Sequence, residues 1–153
     1  MKEYSPPPFN FSLSNEIVLP TKEQREKLVK FLERKLMIEF LMQNEIFVFG
    51  SNTEGRHGAG AAKTAMNWGA KYGQSKGRQG QTYAIITKDL KTGFVGWDMV
   101  RSQLIDLMKY AHMHDDLVFL LTPIATGLSG QTIEDLEENI KDLYFPDNII
   151  KIW

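Results

Sequence analysis

Two stretches of the chain hold the residue types that ligand chemistry needs. The first, FVFGSNTEGRHGAGAAKTA (residues 47–65), begins as a strand and ends as a helix, with Gly50, Gly55, Gly58 and Gly60 between. Glycines let a ligand approach the main chain closely. Free N–H groups at the start of a helix, with the positive end of its dipole, favour an anion. Ser51, Asn52, Arg56, His57, Gly58, Ala59 and Gly60 are the candidate contacts, and the helix is expected to start near Gly58. The second stretch, LLTPIATGLSGQT (residues 120–132), repeats the layout. An apolar strand runs into Thr126, Gly127, Leu128, Ser129 and Gly130, and a helix follows from Gln131 or Thr132. Two such turns on one rim can embrace a diphosphate, one phosphate each. The competing reading is that the glycines only make tight strand-to-helix crossovers.

A third element adds charge. In YAIITKD, Lys88 and Asp89 come just past an apolar strand, Thr82–Ile86, at the same rim if the strands are parallel. Lys88 is then a candidate nucleophile near a sugar or phosphate, and a solvated pair of loop charges is the alternative. His57 is a phosphate ligand, an acid/base or a plain loop residue. Common nucleotide motifs do not fit. Gly50 and Gly55 have P-loop spacing, but Arg56 and His57 replace its Lys-Ser/Thr pair. Gly55, Gly58 and Gly60 read G-x-x-G-x-G, not the dinucleotide fingerprint G-x-G-x-x-G. No cofactor is expected. His112 and His114 lie two apart on a helix, where side chains diverge, so a joint metal site is not expected.

The elements that must position these residues follow from hydrophobic spacing. Ile46–Phe49, Thr82–Ile86 and Leu117–Leu121 read as buried strands without alternation. Ala61, Ala62, Ala65 and Met66 mark one helix, and Trp97, Val100, Leu104, Leu107, Met108 and Ala111 another. Ile133, Leu136, Ile140 and Leu143 mark a third helix, with Ile149–Ile152 as an edge strand. Strands alternating with helices predict an α/β domain, a mostly parallel sheet in a three-layer α/β/α arrangement, over residues 45–153. Residues 1–44 read as an arm and helix packed on that domain. Pro6, Pro7 and Pro8 force an extended entry, Thr21 and Gln24 fit a capping box, and Leu28, Phe31, Leu32 and Leu36 repeat at helical spacing. That helix is expected to run on towards Gln43. The polar segment Gln74–Gln81 either reaches over the site or merely connects, and Tyr72, Tyr83 and Trp97 are core residues or stack on a base.

Composition narrows the partners. The 153 residues carry a formal net charge of −1, so no bulk field recruits nucleic acid or an anionic membrane. Cysteine is absent, which excludes disulfides, thiolate metal sites and cysteine nucleophiles. No apolar run approaches the roughly 20 residues a bilayer requires, and the start lacks a signal-peptide pattern. A cytoplasmic protein is expected.

RHGAGAAKTAMNWGAKYG, AIITKD and PIATGLSG together resemble the macrodomains, α/β/α modules that bind ADP-ribose. The nearest branch is the one that removes ADP-ribose from proteins or DNA through a lysine. Its R-x-G-A-G-x-A turn, its strand ending in ITK and its P-x-x-G-x-G-L turn correspond to Arg56–Ala62, Ile86–Lys88 and Pro123–Leu128, with Thr126 in place of the first glycine. The chain also resembles small phage-associated and bacterial proteins that open with VFGSN…GRHGAGAA. The likeness spans about residues 45–132.

The resemblance implies that the turns Gly58–Ala62 and Thr126–Gly130 hold a diphosphate and that Lys88 attacks the ribose anomeric carbon. Its implied partner is an ADP-ribose-like small molecule or an ADP-ribosylated macromolecule. Its implied activity is an ADP-ribosyl glycohydrolase; a non-catalytic nucleotide-binding reader or phage-related accessory protein is the alternative. One departure bears on catalysis. The branch has an aspartate directly after its G-L pair, where this chain has Ser129, and a hydroxyl cannot serve as a carboxylate base. Asp89 and Glu54 are the candidate substitutes. Other macrodomain hydrolases use an asparagine after their first strand, for which Asn52 is the nearest match.

Overall fold

The computed structural model describes residues 21–25 and 40–153. The arm through Pro8 and the apolar positions Leu28, Phe31, Leu32 and Leu36 lie outside the described residues. The capping box is present. Gln24 Oε1 accepts from the Thr21 N–H at 2.8 Å, and Thr21 Oγ1 accepts from the Gln24 N–H at 3.2 Å.

The elements are β1 (Glu45–Asn52), α1 (Gly60–Ala65) with a 3-10 turn (Met66–Trp68), β2 (Gly77–Gln79), β3 (Thr82–Asp89), β4 (Gly93–Phe94), α2 (Trp97–Met113), β5 (Val118–Leu121), α3 (Ile133–Ile140) and β6 (Ile149–Lys151). They form a mixed α/β domain on one sheet of order β2-β3-β1-β5-β6, with β4 also on β3. Strands β3, β1, β5 and β6 are parallel, while β2 and β4 run antiparallel to β3. The sheet is therefore mostly parallel, and β6 is its edge, as the sequence predicts.

Strand alternation explains why these runs read as wholly apolar. From β1, Ile46 and Val48 join the cluster containing Val100, Leu104 and Leu107 of α2 and Leu136 and Ile140 of α3. Phe47 and Phe49 join a second cluster with Ala62 and Ala65 of α1. Both faces of the strand are covered, so both parities are apolar. The small alanines let α1 lie close to the sheet, and Phe47 meets Trp68 edge-on at 5.2 Å. Burying each large side chain stabilises the fold by roughly 1.5–3 kcal/mol.

Several boundaries differ from the sequence reading. Strand β3 continues through Asp89, so Lys88 and Asp89 belong to the strand rather than to a loop beyond it. Helix α1 starts at Gly60 rather than Gly58 and has only six residues. Leu143 lies past α3, in a turn where its N–H bonds Ile140 O at 3.0 Å. Phe40, Leu41 and Met42 are not helical. The segment Gln74–Gln81 carries β2, so it connects and does not reach over the site. On the outer edge of β3, β2 faces Thr82–Ala84 and β4 faces Lys88–Asp89. The gap between them is closed by buried Gln103 of α2. Its Oε1 accepts from the Ile86 N–H at 2.7 Å and its Nε2 donates to Ile86 O at 2.9 Å. One side-chain amide thus satisfies backbone groups that would otherwise be buried unpaired.

Candidate functional site

Parallel strands deliver their carboxyl ends to one rim, and the register fixes what meets there. Asn52 of β1 stands opposite Lys88 of β3 after an irregularity at Ser51/Asn52, and Val48 stands opposite Leu121 of β5. A cavity of about 790 Å³ opens at this rim. Its volume lies in the roughly 300–1,000 Å³ range of small-molecule sites. Of the sequence-predicted residues, Ser51, Asn52, Arg56, Gly58, Ala59, Gly60, Lys88, Thr126, Gly127, Leu128 and Ser129 line it. His57 and Gly130 do not.

The first turn is braced from within. The Asn52 amide donates through Nδ2 to Arg56 O at 2.8 Å and accepts at Oδ1 from the Arg56 N–H at 2.9 Å. This closes residues 52–56 into a loop and commits Asn52 to positioning rather than to catalysis. Gly55 has φ +67°, and a Cβ there would stand 2.6 Å from the Gly73 carbonyl carbon. Its carbonyl accepts from the Gly73 N–H at 2.9 Å, so the turn is pressed against residues 73–74. Gly60 also needs a left-handed φ, +58°. His57 is buried beneath the turn, edge-on to Phe49 at 5.3 Å. Its Nε2 lies 3.1 Å from Gln74 O, a pure acceptor, so Nε2 carries the proton. Nδ1 has no partner. His57 therefore holds the loop and is no phosphate ligand in this geometry.

The second turn is held by hydroxyls. Thr122 donates its N–H and its Oγ1 to Val48 O, at 3.2 and 2.7 Å. Ala125 has φ +66°, the one non-glycine in the left-handed region among the described residues. Such a residue costs on the order of 1–3 kcal/mol and is found chiefly where function needs it. Ser129 Oγ donates to Thr87 Oγ1 at 2.9 Å, and Thr87 Oγ1 donates to Ser51 O at 3.3 Å. The chain Ser129–Thr87–Ser51 ties the second turn to β3 and β1. Helix α3 is closed by its own capping box, in which the Asp135 N–H donates to Thr132 Oγ1 at 3.1 Å. The anion-receptive part of this stretch is hence the turn itself, not the helix end. Ala59, which precedes α1, supplies no side-chain cap, so the first turn leaves its N–H groups open.

Charge at the cavity has one sign. Arg56 and Lys88 line it, and no aspartate or glutamate does among the described residues. Glu54 is paired with Arg56 at 2.9 Å outside the lining. Both side chains are largely exposed, so that pair contributes at most about 1 kcal/mol. Asp89 caps the β3–β4 turn. The Lys91 and Thr92 N–H groups, at 2.8 and 3.0 Å, and Thr53 Oγ1 hold its carboxylate below the usual range. Neither carboxylate reaches the cavity to replace the base that Ser129 lacks.

The lining also contains residues the sequence reading missed or placed elsewhere. Tyr72 is 64% exposed and faces the cavity, so it is not core. Tyr83 and Trp97 are packed away from the cavity, against Tyr110 and Phe94. Leu90, Thr87, Thr122 and Ala125 line the cavity as well. Thr87, between two named positions in ITK, was within reach of sequence reasoning; Ala125 gave no signal, because its strain is a backbone property. His114 bonds Tyr110 O through Nδ1 at 2.8 Å and stacks on that ring, and His112 lies in the last turn of α2.

Fold and rim together define an α/β domain with a cavity at the carboxyl ends of parallel strands, lined among the described residues by Arg56 and Lys88 and by no carboxylate. No family model, curated protein or solved structure matches the chain.

Proposed function

We propose that this cavity binds ADP-ribose or a related nucleoside diphosphate compound, in a macrodomain-like three-layer α/β/α domain. One observation carries the reading. Gly58 and Gly127 come from separate turns and line the same cavity. Neither has a left-handed φ, and a Cβ built on either meets nothing within 4 Å. Nothing among the described residues explains the missing side chains, whereas a ligand lying against the main chain does. Arg56 and Lys88 supply the counter-charge for a pyrophosphate, and exposed Tyr72 and Leu128 supply surface for the rest of a nucleotide.

Whether the compound is held or cleaved turns on Lys88 and Ser129. Cleavage of an ADP-ribosyl glycosidic link would use the Lys88 amine as nucleophile at the anomeric carbon. The lack of a carboxylate among the described lining residues favours the second reading, a non-catalytic reader or phage-related accessory protein, because no carboxylate or imidazole of that lining is placed to take or return a proton. Calorimetric titration with ADP-ribose, NAD and AMP tests binding. Saturable heat with ADP-ribose, weakened by Lys88→Ala, is expected; silence with all three compounds leaves the glycines a purely structural purpose. Incubation with mono-ADP-ribosylated protein and DNA then separates the two readings. Release by the natural chain but not by Lys88→Ala marks the glycohydrolase.

A further inference from the structure

Most of the cavity's uncharged polar side chains are already engaged within the protein, and that limits what they can read. Among the described lining residues, the uncharged hydrogen-bonding side chains besides Tyr72 are Ser51, Asn52, Thr87, Thr122, Thr126 and Ser129. Ser51 Oγ donates to Asn52 O at 3.2 Å, and Thr122 Oγ1 to Val48 O at 2.7 Å. Thr126 Oγ1 donates to Pro123 O, Ser129 Oγ to Thr87 Oγ1, and Thr87 Oγ1 to Ser51 O. Asn52 spends both ends of its amide on the Arg56 main chain. Each hydroxyl has given its only proton to the protein. With no carboxylate among the described lining residues, what remains for a ligand is the main chain of the turns, the cations Arg56 and Lys88, the Tyr72 hydroxyl, one spare N–H on Asn52 Nδ2, and the apolar surface of Tyr72, Leu90 and Leu128.

Those groups suit a phosphate and a flat ring, and they are poor readers of a base edge. Strong discrimination needs two hydrogen-bonding groups in fixed geometry, such as a free amide, a carboxylate or an uncommitted guanidinium fork, whose mispairing leaves a buried group unsatisfied. The Arg56 fork is engaged by Glu54 through Nε at 2.9 Å and assigned to the pyrophosphate. A lone acceptor on a rotatable hydroxyl does not supply it, because adenine, guanine and cytosine all present an amino donor. Stacking on an aromatic ring is likewise tolerant of sequence, since every base has a π-face. We infer that the pocket takes nucleoside diphosphates with little regard to the base, recognising the pyrophosphate through its turns and cations and the base through Tyr72 as a planar surface. The inference rests on the nucleotide-binding reading above and narrows it.

The test is a parallel calorimetric titration of the full chain with ADP, GDP, CDP, UDP and ADP-ribose. Dissociation constants for the four diphosphates within about tenfold of one another are expected. Tyr72→Ala is expected to weaken all four by a common factor, roughly five- to hundredfold. ADP binding more than about tenfold tighter than UDP overturns the inference while leaving nucleotide binding intact. A Tyr72→Ala loss confined to one base overturns it too. Silence from all five compounds removes the underlying reading instead.

Discussion

Replacing Gly127 with alanine should raise the stability of the chain and lower its affinity, and this opposition of signs is what makes the substitution informative. A Cβ at Gly127 meets no atom within 4 Å, and φ there lies outside the left-handed region. Folding thus meets no clash, and the variant gains from a less mobile unfolded chain, about 0.4–1 kcal/mol. For a chain of this size that is a rise in Tm of roughly 1–4 °C. Binding moves the other way. If the methyl occupies the space a phosphate oxygen needs, a hydrogen bond to a charged group is lost, at about 1.5–3 kcal/mol. That corresponds to a roughly ten- to hundredfold higher Kd for ADP-ribose. Gly58→Ala should behave alike, because its surroundings are equally open. Gly55→Ala is the contrast, since its Cβ would sit 2.6 Å from Gly73 at φ +67° and the fold itself should suffer. Differential scanning calorimetry and isothermal titration on the three variants read both quantities. Full affinity in Gly127→Ala and Gly58→Ala together would refute the claim that a ligand lies on these two turns.

Ala125→Gly removes a left-handed alanine at φ +66°, trading about 1–2 kcal/mol of strain against the roughly 0.5–1 kcal/mol entropic cost of glycine; Tm should rise slightly, and a fall would show that the Ala125 methyl contributes more by packing than its backbone costs. Asn52→Ala leaves the Arg56 N–H and C=O without their side-chain partner, so about 1–3 kcal/mol of loop stability is lost, read as faster amide exchange across residues 53–57. Asp89 has its pKa lowered on folding, by the Lys91 and Thr92 N–H groups first. Its contribution is present above the usual carboxylate range and disappears as pH falls through the lowered value. The Tm gap between the natural chain and Asp89→Ala should therefore be constant near neutrality and close in acid. A gap that widens below the carboxylate range would contradict the assigned hydrogen bonds.

The parallel core was legible because burial on both faces leaves a direct trace. Ile46–Phe49 and Leu117–Leu121 are apolar at both parities, and each lies in a strand between two clusters. What escaped were elements that use backbone rather than apolar surface. β2 is Gly-Arg-Gln and β4 is Gly-Phe, too short and polar to show period two, and each exists because β3 has an unpaired outer edge. Gln103 escaped for the same reason. On a helical wheel it interrupts the stripe of Val100, Leu104 and Leu107, and only the gap at Ile86 shows why an amide is buried there. Strand ends were under-called where Thr87, Lys88 and Asp89 follow the apolar run, since sheet pairing outlasts hydrophobicity.

At the site, sequence located the two turns but could not sort the glycines within them by purpose. Gly50 lies where a Cβ would approach Thr87 Oγ1 at 3.1 Å, Gly55 where it would strike Gly73, and Gly60 and Gly130 at φ +58° and +80°. Gly55, Gly60 and Gly130 are held by backbone conformation and Gly50 by a tight approach to Thr87, as the crossover reading of the turns would have it. Gly58 and Gly127 are held by neither, and they alone of the set combine open space, a φ outside the left-handed region and a place in the cavity lining. His57 shows the converse error, because its type and position beside Gly58 fit a phosphate ligand, yet the turn folds it inward to bond Gln74 O. Side-chain direction in an irregular loop is set by the bracing of its neighbours, here the Asn52 amide on Arg56, and one-dimensional spacing does not encode it. The part of the site that sequence can state is therefore where the main chain is bare; which side chains join it depends on hydrogen bonds closed across β1, β3 and β5.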